Sequence, residues 1–154
     1  MSYIIGMDVA ETGMTLDFQL GQIGQAVDGK LYKYVQYDTG AGNVVAVSGN
    51  VVGYLAPSGA SAGATTKVTA DASDTARVGA GVLNSAPADG EYCWIQVTGA
   101  RQLTTALTAG ADGNALTTVG AGDSTLDVSA AVTDAVCATA IDASAKIVMC
   151  QFPL

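Results

Sequence analysis

"DGEYCWIQVTGA", Asp89 to Ala100, holds the only tryptophan of a chain made largely of alanine, glycine, threonine, valine and aspartate. Read with a period of two, the stretch sets Cys93, Ile95 and Val97 on one face of a strand and Tyr92, Trp94, Gln96 and Thr98 on the other. The first is a core face. The second is mixed, with two large aromatics ahead of two polar residues, whereas a strand face open to water is polar throughout. Something must therefore cover Trp94, either another segment of the same chain or a neighbouring molecule.

Outward from this stretch, β-branched runs broken by Gly, Asp, Asn and Ser recur along the chain, and no apolar period of 3.6 residues persists. The pattern predicts a mainly β protein. Candidate strands cover residues 15–20, 30–38, 44–49, 51–57, 66–71, 76–84, 91–99, 101–107, 136–142 and 146–152, separated by turn signals such as "VDGK", "TGAGN", "PADGE" and "GADGN". In residues 30–38, Leu31, Lys33, Val35 and Tyr37 alternate with Tyr32, Tyr34 and Gln36, which puts tyrosine on both faces. The stretch "SGASAGATT" reads as a surface loop, and residues 109–135 carry weak strand signals, with a short helix expected near 129–136.

At 154 residues the chain suits one domain, and a chain of this size buries about 70% of its unfolded surface. The 49% apolar fraction is inflated by alanine, and two Phe, one Trp and six Tyr make a thin core. Thin cores gain stability from assembly, because burial between subunits substitutes for burial within one. Charged residues make up 13% of the chain, about half the usual ~25%, and sum to −8. The six cations, Lys30, Lys33, Lys67, Arg77, Arg101 and Lys146, form no run, which argues against direct nucleic-acid binding and against an anionic membrane as partner. The N-terminal residues lack the pattern of a signal peptide and no window suits a membrane span, so the expected site of synthesis is the cytoplasm.

Histidine is absent, which removes the commonest general base and the commonest transition-metal ligand together. Cys93, Cys137 and Cys150 are odd in number and far apart, against a disulfide framework or a zinc site, and each lies in an apolar strand-like context that suits a buried free thiol. The two glutamates, Glu11 and Glu91, and the twelve aspartates read mostly as turn residues rather than as a catalytic pair. Calcium is the one metal worth weighing, at Asp71 and Asp74 or at Asp123 and Asp127, yet neither pair has the spacing of a calcium loop. The "GAG" steps lack a nucleotide-binding frame. The expectation is thus no enzyme, no cofactor and no catalytic or metal site. What remains is surface: Tyr3, Ile4 and Ile5 of an apolar N-terminus, laid on its own domain or on a neighbour, and the Tyr92 and Trp94 face.

The block "ARVGAGVLNSAPADGEYCWIQVTGARQLTTAL" and the closing pair "VCATAIDASAKIVMCQF" resemble the capsid decoration, or cement, proteins of tailed bacteriophages, over residues 77–152. The resemblance implies a compact β-barrel or β-sandwich domain, residues 15–154, behind an extended N-terminal arm, residues 1–14. It also implies a non-enzymatic homotrimer on the outside of the virion capsid. Its partner there is the HK97-type major capsid protein, and it stabilises the head by bridging capsomers. Tyr3, Ile4, Ile5, Tyr92 and Trp94 are then the candidate partner-binding residues. The rival class is a β-structured receptor-binding or adhesin module of a phage tail or spike, which shares the small-residue loops but wants an aromatic platform for sugar.

Overall fold

The computed structural model describes residues 7–56 and 66–154, and these form a nearly all-β domain. Five strands close into a barrel: β3 (Leu31–Tyr37), β4 (Val51–Leu55), β5 (Lys67–Thr69), β6 (Thr75–Leu83) and β7 (Tyr92–Gln96). β3 runs parallel to β5, antiparallel pairings lead from β5 through β4 and β6 to β7, and β7 pairs back onto β3. Closure leaves the barrel strands without a free edge. Two short strands from the N-terminal side, β1 (Thr12–Gly13) and β2 (Ile23–Gln25), pair with β7 and β3.

The second sheet is antiparallel throughout. It contains β8 (Thr98–Gln102), β9 (Ala115–Thr117), β10 (Asp127–Val128), β11 (Val136–Asp142) and β12 (Ile147–Gln151), in the order β10-β9-β11-β12-β8. One buried cluster joins the two layers, running from Val35, Val52, Val68 and Ile95 of the barrel to Leu116, Cys137, Val148 and Phe152. The layers meet closely because Gly79 has no side chain: a Cβ there would lie 2.9 Å from the Phe152 ring and 3.0 Å from Cys137 Sγ. Gly79 is thus a packing device between the sheets, while Gly81 of the same "GAG" step lets β6 approach Gln96 O and Ile95 of β7.

The stretch quoted at the outset supplies both layers. β7 ends at Gln96, Val97 stands alone, and β8 begins at Thr98. Val97 donates its N–H to Leu31 O at 2.9 Å and accepts from Phe152 N at 3.0 Å, so the crossing residue is bonded to both sides. Gln96 is fully buried, and its Nε2 donates to Thr98 O at 2.9 Å and to Gly99 O and Ala100 O, each at 3.2 Å. Gly99 takes a φ of +90°, and a Cβ there would meet Lys30 Cγ at 2.9 Å.

Several expected elements differ. Residues 15–20 are not a strand but an irregular segment carrying Phe18 and Leu20 onto the barrel. Residues 44–49 form a loop in which Ala46 is buried while Val45 is exposed. The helix expected near 129–136 is a turn, because Asp134 Oδ2 accepts the N–H groups of Ala130 and Ala131, both at 2.9 Å. β9 and β10 lie in the stretch of weak strand signals, and the loop expected over 58–66 falls almost wholly outside the described residues. Of the expected arm, residues 7–14 rest on the barrel: β1 pairs with β7, and Asn84 Nδ2 donates to Val9 O at 3.1 Å.

Gly79→Ala should destabilise the protein by about 1–3 kcal/mol, since the added methyl drives into an aromatic ring and a sulfur held by two sheets. Urea denaturation should show a lower midpoint at an unchanged slope. A midpoint equal to the parent's would mean that the sheets are not packed through this glycine.

Candidate functional site

Trp94 is fully buried by its own chain. It points away from the main core into a second cluster with Tyr32 and Tyr34, closed over by Met7, Val9, Phe18 and Leu20 from the N-terminal side. The Phe18 ring meets it edge-on at 5.1 Å between centroids and Tyr34 lies at 5.0 Å, while Tyr92 stacks on Tyr34 at 6.1 Å. Such pairs contribute about 0.5–1.5 kcal/mol each beyond the area they bury. No subunit is needed to cover Trp94, and in this fold the ring has no surface to offer a partner. Tyr92 is half-buried at the rim of the cluster. Tyr3, Ile4 and Ile5 lie outside the described residues. The indole Nε1 finds no hydrogen-bond partner among the described residues.

The cations are spent mostly on the protein itself. Arg77, at a φ of +58°, donates to Thr118 O and Ala121 O at 3.4 and 3.1 Å. Arg101 donates to Asn84 Oδ1 at 2.7 Å, to Ser48 Oγ at 3.1 Å and to Leu83 O at 3.2 Å, and Lys146 Nζ reaches Thr104 O at 2.9 Å. Lys33 is buried, with its ammonium donating to the Tyr54 hydroxyl at 2.7 Å. Among the described residues, which include all fourteen side-chain carboxylates, the one ion pair is Lys30 with Asp28 at 4.0 Å. The alternation of residues 31–37 put Lys33 on one face with Val35 and Tyr37, but nothing in the sequence pointed to Tyr54.

The acidic residues mostly bind backbone. Asp71 is buried and accepts from Ser73 Oγ at 2.6 Å, Ser73 N at 3.0 Å and Gly42 N at 2.8 Å. The Ser73 hydroxyl and the Gly42 N–H hold its carboxyl below the usual carboxylate range. Asp74 accepts from Ala41 N, and Asp123 from Ala72 N at 2.8 Å. These oxygens therefore act as acceptors for loop amides. Among the described residues no three His, Cys, Asp or Glu side chains gather as a metal site would require.

The three cysteines are free and buried, and burial pushes each thiol up to about 12. Burial likewise lifts the Tyr37 phenol to about 12. Proton-bearing forms are the only ones these interiors tolerate.

The outer face of the second sheet carries several exposed apolar side chains. The register sets Ala115 opposite Thr139, Thr139 opposite Met149, and Met149 opposite Ala100, one row across four strands. The interleaved Leu116, Ala138, Val148 and Cys150 are buried, so this row points outward. Met149, Ile141 and Val136 on these strands are 37%, 45% and 47% exposed. A sheet with one face in the core ordinarily carries polar and charged residues on the other.

Among the described residues no helix is long and apolar enough to cross a membrane. Compared with known proteins, the chain matches no family model, no curated protein and no solved structure.

Trp94→Ala should destabilise the protein by about 3–5 kcal/mol, the cost of a large cavity in a cluster that cannot collapse on both sides. Chemical denaturation measures it, and a loss below about 1 kcal/mol would show the cluster to be loosely packed. A second expectation concerns pH. Folded-state values near 12 exceed those of the unfolded chain for Cys93, Cys137, Cys150 and Tyr37. Their contribution is therefore full below about pH 8.5 and declines as pH rises towards 12. Asp71 works oppositely, contributing above about pH 4 and losing its effect below. Melting temperature against pH should fall at both ends, and an alkaline limb that stays flat to pH 12 would contradict the buried thiols and phenol.

Proposed function

We propose that this chain is a non-enzymatic structural protein of a tailed-phage virion, a decoration protein that binds the outside of an HK97-type head and stabilises it by bridging capsomers. The observation that supports this reading is a division of the surface: a sheet face whose central row, Ala115, Thr139, Met149 and Ala100, carries no charge, on a chain of net charge −8. Contact surfaces are depleted of charge at their centre, whereas acidic surroundings keep particles apart in solution. The titratable groups are used inside the fold, on carbonyls, loop amides and the core, rather than convergent on a cleft. The thin core, whose large members are few, favours a homotrimer on the head. Tyr3, Ile4 and Ile5 are proposed to lie on the capsid or on a sister subunit, and the major capsid protein is the proposed partner.

The test is addition of purified protein to HK97-type heads lacking their decoration protein, followed by sedimentation and cryo-electron microscopy. Density at symmetric positions on the outer shell and a higher temperature of head disruption are expected, while heads that stay bare would overturn the reading. Removal of residues 1–6 should weaken head binding with little change in melting temperature. Deletion must stop there, because Met7 and Val9 already pack on the Trp94 cluster. Unchanged head binding after that deletion would take Tyr3, Ile4 and Ile5 out of the contact.

A further inference from the structure

Three of the turn signals in the sequence contain the same dipeptide, Asp-Gly, at residues 28–29, 89–90 and 112–113. All three aspartates are exposed, and Gly29, Gly90 and Gly113 take left-handed φ values of +79°, +79° and +81°. Asp-Gly is the step at which a peptide chain rearranges most readily, because the glycine has no side chain to hinder its own amide. The glycine N attacks the aspartate's Cγ in the protonated carboxyl form. An N–Cγ bond forms, a Cγ–O bond breaks, and the oxygen leaves as water with the carboxyl and amide protons. Solvent water then opens the cyclic imide. Addition at Cγ restores aspartate, whereas addition at the aspartate's main-chain carbonyl carbon gives isoaspartate, whose chain runs through Cβ and Cγ.

In the folded chain, two kinds of bond hold each pair of reacting groups apart. The glycine N–H donates to a main-chain carbonyl in every case: Gly29 to Ala26 O at 3.0 Å, Gly90 to Tyr37 O at 2.9 Å and Gly113 to Ala140 O at 2.8 Å. Each carboxylate accepts from a different amide, Asp28 Oδ1 from Lys30 N at 2.9 Å, Asp89 Oδ1 from Thr39 N at 3.0 Å and Asp112 Oδ1 from Ala143 N at 2.8 Å. Reaction therefore waits for local opening.

The openings differ in extent. Asp89 and Asp112 are bonded to chain 50 and 31 residues away, so freeing them parts one segment of the domain from another. The bonds at Asp28 run only to its own turn and to the start of β3: Lys30 N, the Lys30 ammonium at 4.0 Å and the Tyr32 hydroxyl at 2.9 Å. That turn joins β2 to β3, and β2 is an edge strand paired with β3 alone. Edge hairpins open at lower free energy than ladders in the middle of a domain. We infer that Asp28 is a site of spontaneous isomerisation to isoaspartate in the native protein, the one Asp-Gly step of the three that opens while the barrel stays closed. The product carries one extra main-chain atom in the turn that sets Ile23, Gly24 and Gln25 in register on β3, so ageing there loosens β2.

The test is incubation of the full chain at neutral pH and physiological temperature, in buffer and in guanidinium chloride. Peptide mapping with electron-transfer fragmentation then separates isoaspartate from aspartate. In buffer, isoaspartate should accumulate at Asp28 at least about tenfold faster than at Asp89 or Asp112. In denaturant the three rates should converge, since neighbouring sequence alone then sets them. Equal rates in buffer, a lead at Asp89 or Asp112, or a lead at Asp28 that persists undiminished in denaturant would overturn the inference. Tyr32→Phe removes the bond from Asp28 to a buried side chain and should speed isomerisation there alone. An unchanged rate in that variant, or an equal rise at all three sites, would count against local opening. The comparison among the parent's own three sites decides the matter even if the variant folds poorly.

Discussion

The chain passes from the barrel to the second sheet in a single residue, and the Gln96 amide holds that step in place. Its two N–H groups are shared among three carbonyls of β8, all within four residues of it in the chain. A buried primary amide that left those carbonyls unbonded would face a desolvation penalty of about 1–3 kcal/mol for each orphaned group. The bonds thus make the tight exit at Val97 more favourable than a smooth continuation of β7. Every other feature of the second layer follows from where β8 begins, because β12 registers on β8, β11 on β12 and β9 on β11.

The barrel has two apolar sides, and the chain solves them differently. Inward-facing Val35, Cys93 and Ile95 join a core continuous with the second sheet, while outward-facing Tyr32, Tyr34 and Trp94 are covered by the N-terminal segment. A small-residue chain that cannot fill one large core instead concentrates its aromatics in a satellite cluster. The N-terminal segment contributes mostly side chains there, with only β1 and β2 adding ladder pairs.

Period-two alternation made the central elements legible. Residues 31–37 and 92–96 alternate between two apolar sides, and tyrosine on both faces of β3 correctly signalled that neither was solvent. The same reasoning misread residues 15–20, since alternation cannot distinguish a paired strand from a segment whose Phe18 and Leu20 simply face an aromatic cluster. β9 and β10 were hidden because Ala115–Thr117 and Asp127–Val128 are too short and too poor in large apolar residues to show a period. At residues 129–136 the expected helix gives way to a turn in which the Asp134 carboxylate binds two successive amides that precede it. At the candidate surface, the sequence showed that charge was scarce but not which row of residues lacked it. That property belongs to four strands brought together across residues 100–149.

Barrel closure also sets the order of events during synthesis. β3 ends at Tyr37, but its antiparallel partner β7 begins only at Tyr92, and its other long-range neighbour, β5, is parallel. At about 5–20 residues per second, the ribosome leaves β3 waiting several seconds for the strand that closes the ring. Non-local pairing of this kind also makes for slow folding once the chain is complete. During that interval Tyr32, Tyr34 and Val35 stand on an open ladder, a template for wrong pairing with other nascent chains. Aspartates at residues 28, 38, 71 and 74 around the early strands surround that ladder with negative charge. The acidity of this chain thus has a role before any native surface exists, as mutual repulsion among growing chains whose barrels have yet to close.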